Sequence, residues 1–388
     1  MIKRILIVGL LAATQAITQV SVAQELSQYS ATRVMRANEL SQDEKLNEAI
    51  ALLESIDSSR DYDKAFIARM LGVFYWQDGQ SDNAIKQISY AVESGLLKDD
   101  QAWSTEKMLA DLLLSNQDYK QALKHYYTLS ESAPDSAAKQ DIYLRIAQSH
   151  YQDQDWKPTL SALTELHKLQ KPDVSTLSLR LGAELQLERW KSAIPTLEHL
   201  IDLEPKEVKW WRQLAGLQLR VKDEKGALAT LALAKHQRLD LTQKELHLLA
   251  QLYAKRGVPE KAARLIAQLE GANTDVKLLR EQASYWQQAK EWDKSVHIWL
   301  AAAKYEPDYH WNAAQILLQQ QRYQQTLRTL DKVPGRAEQV ALAKTRAYYK
   351  LNNLEDAIIQ AKKADSIKVT NQSQSWIKYL EQLRRAHS

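Results

Sequence analysis

The chain contains no cysteine among its 388 residues. Disulfides, thiolate nucleophiles, Cys-ligated zinc and iron–sulfur clusters are therefore excluded. Glycine is scarce, at 10 residues. Gly-rich phosphate loops have little to be built from, and two-residue β-hairpins lack their favoured residue. An excess of one charge is missing too: 52 Lys and Arg stand against 48 Asp and Glu. That balance gives no general reason to expect nucleic acid or a membrane surface as partner. Catalytic signatures are likewise absent from the sequence. The nine histidines are scattered, with no His-x-x-x-His pair, no Gly-x-Ser-x-Gly elbow and no nucleotide loop. Paired carboxylates such as Asp99-Asp100 and Glu355-Asp356 read as helix starts, where they complement the helix dipole. What is present is a 45% hydrophobic, 26% charged chain, apolar enough to bury a core. We expect a large helix-rich protein with no enzymatic role, no cofactor and no metal.

The N-terminus has the layout of an address. Lys3 and Arg4 precede an uncharged, mostly apolar run over Ile5 to Ala13, and Ser21-Val22-Ala23 places small residues before Gln24. This predicts a secretory signal peptide over residues 1–23, cleaved after Ala23, and a periplasmic location. Thr14, Gln15, Thr18 and Gln19 interrupt the run. It is thus too short to cross a bilayer, which needs about 20 apolar residues, and no membrane span is expected after cleavage. No Cys follows it, so a lipid anchor is excluded.

The rest of the chain repeats. Small residues mark the second helix of successive units at Ala49, Ala84, Ala122, Thr159, Ala193, Ala227, Ala262, Ser295, Thr326 and Ala357, with a mean spacing of about 34 residues. Twelve residues before several marks lies another small residue: Gly72, Ala110, Ala147, Ala215, Ala250, Ala283 and Ala314. Two helices approach closely only where such positions carry little side chain. Apolar or small residues recur four and seven positions after the mark, as in Ile88 and Ala91 or Trp299 and Ala302. That spacing puts them on one helical face. Pro134, Pro205 and Pro307 fall twelve residues after their marks and stop the second helix. Most of the eleven tryptophans fall at repeat-core positions and are assigned to packing.

This pattern resembles the tetratricopeptide repeat (TPR) family over roughly residues 30 to 366. The resemblance implies an all-α, right-handed α-solenoid of about ten TPR-like hairpins. The expected organisation is a degenerate N-terminal repeat over residues 24–60, an array over 61–366 and a C-terminal capping helix over 367–388. It also implies a concave face built from the first helix of each unit, with ligand contacts at positions 2, 5, 9, 12 and 13 of the repeat. In three consecutive units those positions include Lys209, Arg212 and Arg220, then Lys244, His247 and Lys255, then Lys277 and Arg280. Seven of the fifteen are Lys or Arg and none is acidic. A basic groove for an acidic or extended protein segment is the expectation. Position 9 holds Gly216, Gln251 and Ser284 rather than the Asn of chaperone-type carboxylate clamps. Trp211 sits at a core position, whereas Trp210, one residue off, is expected partly exposed at the groove rim as an aromatic anchor.

A narrower resemblance runs from Lys209-Trp-Trp-Arg-Gln-Leu-Ala-Gly-Leu-Gln-Leu through Ala227-Leu-Ala-Thr-Leu-Ala-Leu-Ala and Leu248-Leu-Ala-Gln-Leu-Tyr253 to Gly257-Val-Pro-Glu-Lys-Ala-Ala263. These segments are similar to periplasmic TPR proteins associated with TonB energy-transduction systems. They imply an accessory, protein-binding role beside TonB, ExbB and ExbD in iron-siderophore uptake. The alternative is a TPR scaffold for envelope assembly, secretion or polysaccharide export.

Overall fold

The computed structural model describes residues 26–387, so the predicted signal peptide lies outside the described residues. Among these the protein is all-helical, with 21 α-helices, one 3₁₀ turn and no strand. The chain divides into an N-terminal unit ending at Glu204 and a C-terminal unit starting at Pro205.

The N-terminal unit contains five hairpins: α1 (Gln28–Gln42) with α2 (Leu46–Glu54), α3 (Asp61–Gln77) with α4 (Ser81–Glu93), α5 (Asp99–Ser115) with α6 (Tyr119–Glu131), α7 (Ser136–Gln152) with α8 (Trp156–Leu169), and α9 (Val174–Gln186) with α10 (Trp190–Leu203). The C-terminal unit contains five more: α11 (Val208–Arg220) with α12 (Glu224–His236), α13 (Gln243–Lys255) with α14 (Pro259–Ile266), α15 (Val276–Gln288) with α16 (Trp292–Ala302), α17 (His310–Gln319) with α18 (Tyr323–Leu330), and α19 (Ala337–Lys350) with α20 (Leu354–Ile367). A last helix, α21 (Asn371–His387), packs Trp376, Ile377 and Leu380 against α20. Within each unit a helix packs mainly on its sequence neighbours, which is the arrangement of a helical solenoid.

Close helix approach explains the repeat marks. All ten, from Ala49 to Ala357, are 0% exposed. Where the mark carries a hydroxyl, the group is satisfied locally. Ser295 Oγ donates to the Ala283 carbonyl at 2.9 Å, Thr159 Oγ1 to Asp155 at 2.8 Å and Thr326 Oγ1 to Arg322 at 3.0 Å. Opposite Ala84 lies Gly72. A Cβ there would overlap Cγ1 and Cδ1 of Ile88 and stand 3.2 Å from the Ala84 carbonyl oxygen. No tryptophan is fully exposed, and four of the eleven are buried.

The ten hairpin turns are built alike. Five residues before each mark, the backbone enters the left-handed region. Only Gly79 and Gly257 are glycines; the other eight are Glu44, Gln117, Gln154, Glu188, Lys222, Lys290, Gln321 and Asn352. In each turn that residue's N–H bonds the carbonyl three residues back, and the next N–H bonds the carbonyl five residues back, as in Gln117 to Leu114 and Asp118 to Leu113. These bonds satisfy the last carbonyls of the first helix. An L-residue in this region costs roughly 1 kcal/mol that glycine avoids. Gln117→Gly, Gln154→Gly and Gln321→Gly, all at exposed sites, are each expected to stabilise their hairpin by about 1 kcal/mol. Urea titrations followed by circular dichroism check this, and unchanged midpoints would show that the turns hold no strain.

Candidate functional site

The predicted groove residues lie on the first helices of three consecutive hairpins of the C-terminal unit: α11, α13 and α15. The structure brings acids into the same face. Arg212 Nε donates to Glu245 Oε1 at 2.7 Å, and its Nη2 donates to the Asp240 carbonyl at 2.8 Å. Glu245 serves a second purpose. It is the third residue of α13, and its Oε2 accepts the Thr242 backbone N–H at 2.6 Å in a capping box. One repeat further on, His247 Nε2 lies 2.6 Å from Glu281 Oε2. Glu281 Oε1 accepts from the Tyr285 hydroxyl at 2.6 Å. Burial together with that hydrogen bond pushes the Tyr285 phenol up. Lys255 pairs with Glu224 at 2.6 Å. Lys209 pairs with Glu207 at 3.6 Å. Equivalent first helices are thus laced to one another by residues that spacing alone marked as free cations.

Three of the eight basic positions keep uncommitted charge. Lys244, Lys277 and Arg280 are exposed, and their side chains have no ion pair among the described residues. Arg220 is exposed at the end of α11. The basic character of the face therefore concentrates on α13 and α15, and Arg212 acts as an interhelical brace.

Trp210 corrects its expectation. It is only 6% exposed, beside Trp211 at 3%. Lys209 stretches across its indole, with the ammonium 4.4 Å from the ring centre. Trp211 Nε1 donates to the Pro205 carbonyl at 3.1 Å. Both rings are packing elements, and neither offers an open aromatic anchor.

Gly216 stands at repeat position 9, and sequence reading gave it no role of its own. It sits mid-helix on α11, four residues from Arg212 and four from Arg220, and it is exposed. A Cβ built there would meet no atom within 4 Å. Helix packing does not require this glycine, and helix propensity disfavours it by about 1 kcal/mol relative to Ala. Its effect is a bare notch of backbone between two guanidinium groups on the candidate face.

A second missed feature is the distribution of charge. Residues 24–204 carry 19 Lys and Arg against 29 Asp and Glu, while residues 205–388 carry 31 against 19. The near-neutral total cancels an acidic half and a basic half. Counting by halves would have found it.

The described residues contain no group of three or more His, Asp or Glu placed to hold a metal ion. Among them no helix is long and apolar enough to cross a membrane.

No family model matches the chain, and no curated protein matches it. Solved structures do. The chain is similar to a tetratricopeptide repeat protein from Parabacteroides merdae, at 15% identity over 67% of this chain and 100% of that one, with a TM-score of 0.39. It is similar to the C-terminal part of a TPR repeat-containing protein from Cytophaga hutchinsonii, at 14% identity over 71% and 95%, with a TM-score of 0.40. It is also similar to MamA from Desulfovibrio magneticus, at 14% identity over 47% and 98%, with a TM-score of 0.36.

Proposed function

We propose that this protein is a non-catalytic scaffold that binds an extended, acidic protein segment along α11, α13 and α15. The observation that carries this reading is Gly216. A helix-weakening glycine that no neighbour needs, flanked by Arg212 and Arg220, suits close approach of a second backbone. Lys244, Lys277 and Arg280 then supply uncommitted charge along the same face. Such a surface speeds capture and sets register more than it adds affinity.

The finer reading places the chain in the periplasm, exported by its N-terminal leader, as an accessory component of a TonB-type system beside TonB, ExbB and ExbD. What supports it is the leader together with the resemblance carried by the segments between Lys209 and Ala263.

Two kinds of variant test the groove. Gly216→Trp fills the notch from a Cβ that meets no atom within 4 Å, and it removes a helix-weakening glycine, so helical content and melting should not fall. Capture of a fluorescent poly-glutamate peptide is expected to weaken by about tenfold or more, or about 1.4 kcal/mol. Lys244→Glu with Arg280→Glu should weaken capture similarly and remove its salt dependence. Arg212→Glu is a poorer probe, because it sets two carboxylates against each other at Glu245 and loosens the α11–α13 brace. Capture unchanged in both variants would overturn the groove. Recovery of TonB, ExbB or ExbD with wild type but not with Gly216→Trp, after crosslinking in the cell envelope, would support the finer reading. Recovery of none of them with wild type would overturn it.

A further inference from the structure

The ten equivalent turns carry a charge pattern that the fold does not require. Each turn runs from the last residue of the first helix to the N-cap of the second. In the N-terminal unit the five turns hold seven acids and two bases. In the C-terminal unit the same positions hold seven bases and two acids. Because hairpins stack side by side, the turns of one unit form one edge of it. Two ion pairs show this in the C-terminal unit, where Lys255 reaches Glu224 of the preceding hairpin and Arg322 reaches Asp293 of the preceding hairpin.

Local helix electrostatics accounts for only one of the two edges. Cations near a helix C-terminus complement its dipole, so the basic turns are unexceptional. Two acids of the acidic turns, Asp118 and Asp155, are N-caps of α6 and α8 and fit that rule, but the other five run against it. Asp43, Asp78 and Asp153 are the C-cap residues of α1, α3 and α7, and Glu44 and Glu188 directly follow the C-caps of α1 and α9. All five are exposed. None of them has an ion pair to a cation among the described residues. On the other edge Lys222, Arg256 and Lys290 are exposed and likewise have no ion pair among the described residues.

We infer that two copies of this chain associate through these edges, the acidic turns of one copy's N-terminal unit against the basic turns of the other's C-terminal unit. The charges match in number, opposite in sign and repeated at the same hairpin spacing, so a second copy is the partner whose complementarity is on view. The contact is polar and exposed. It is therefore governed by ionic strength and sets specificity and encounter rate more than tight affinity. Arg220 and Lys255 belong to both surfaces, but the variants below change only turn residues outside the groove set, so either proposal can fail alone.

Sedimentation velocity on the purified chain tests this at about 10 mM and about 1 M salt, where charges are screened beyond about 30 Å and about 3 Å. Wild type is expected to associate with rising concentration in low salt and to sediment as monomer in high salt. Lys222→Glu with Arg256→Glu and Lys290→Glu reverses the basic edge. Glu44→Lys with Asp78→Lys and Asp153→Lys reverses the acidic edge. Each triple variant alone should raise the self-association midpoint about tenfold or more, with circular dichroism unchanged. An equimolar mixture of the two should associate again, because each then presents the other's complement. That rescue is an outcome that misfolding cannot produce. Wild type monomeric in low salt overturns the inference. So does association that both triple variants leave intact, or a mixture that stays monomeric.

Discussion

Gly72→Val is expected to lower the free energy of unfolding of the α3–α4 hairpin by about 3 kcal/mol, the upper part of the overpacking range. The new Cβ would overlap Ile88, which is 0% exposed and has nowhere to move, and would press on the Ala84 carbonyl. Relief requires the two helices to part, which opens the contact between position twelve-before and the mark that every hairpin is built on. Stability in a stacked array is a sum over hairpins and their interfaces. The loss should therefore appear first as faster amide exchange in α3 and α4 and only then as a lower global midpoint. Hydrogen exchange followed by mass spectrometry separates the two. Equal exchange in wild type and variant would mean that the helices do not touch as described. Glycine at 216 makes the contrast: an added methyl there meets nothing, and Gly216→Ala should strengthen α11.

Asp111→Ala is expected to cost about 3 kcal/mol as well, for a different reason. Asp111 joins α5, α6 and α7. Its carboxylate accepts from the Tyr126 hydroxyl at 2.6 Å and from Lys107 at 2.9 Å, and Arg145 Nε lies 3.7 Å away. Asp141 completes the cluster, 3.0 Å from Lys107 and 3.6 Å from Arg145. Tyr126 is 0% exposed. Burial and the neighbouring carboxylate push its phenol up, so it stays a neutral donor that needs an acceptor. Removing Asp111 leaves that hydroxyl unpaired and two largely covered cations sharing one half-exposed carboxylate, the expensive way to break a buried pair. Asp111→Asn keeps an acceptor and should cost less. Urea denaturation of both variants checks the order. If Ala and Asn cost the same, the charge and not the hydrogen bond is what the cluster needs. If neither costs anything, the cluster is ornamental.

The hairpins were legible because their logic is local. A small residue every 34 or so positions, often with a second one twelve before it, is imposed by helix–helix distance, and all ten marks proved to be 0% exposed. The turns were half legible. Polar pairs such as Gln117-Asp118 and Lys290-Glu291 mark a break between helices in the sequence itself. Nothing in Gln117 or Lys290 says that it adopts a left-handed backbone, because glycine is the usual sign and here eight of ten turns lack it. The site was less legible still. Sampling positions 2, 5, 9, 12 and 13 steps over Glu245 and Glu281, which stand at positions 3 and 6, and these are the acids that occupy Arg212 and His247. Trp210 misled for a related reason. Position along a helix does not reveal that the neighbouring lysine will lie across the ring. The opposed charge of the two halves was invisible to a whole-chain sum, since it vanishes there.

The left-handed turns have one more consequence. Every hydrogen bond that closes such a turn begins and ends inside its own hairpin. Excising one hairpin between equivalent points, or copying one in, would leave each remaining cap intact. The architecture is therefore free to lengthen or shorten by duplication in steps of a single unit, without new loop chemistry being devised at the joint.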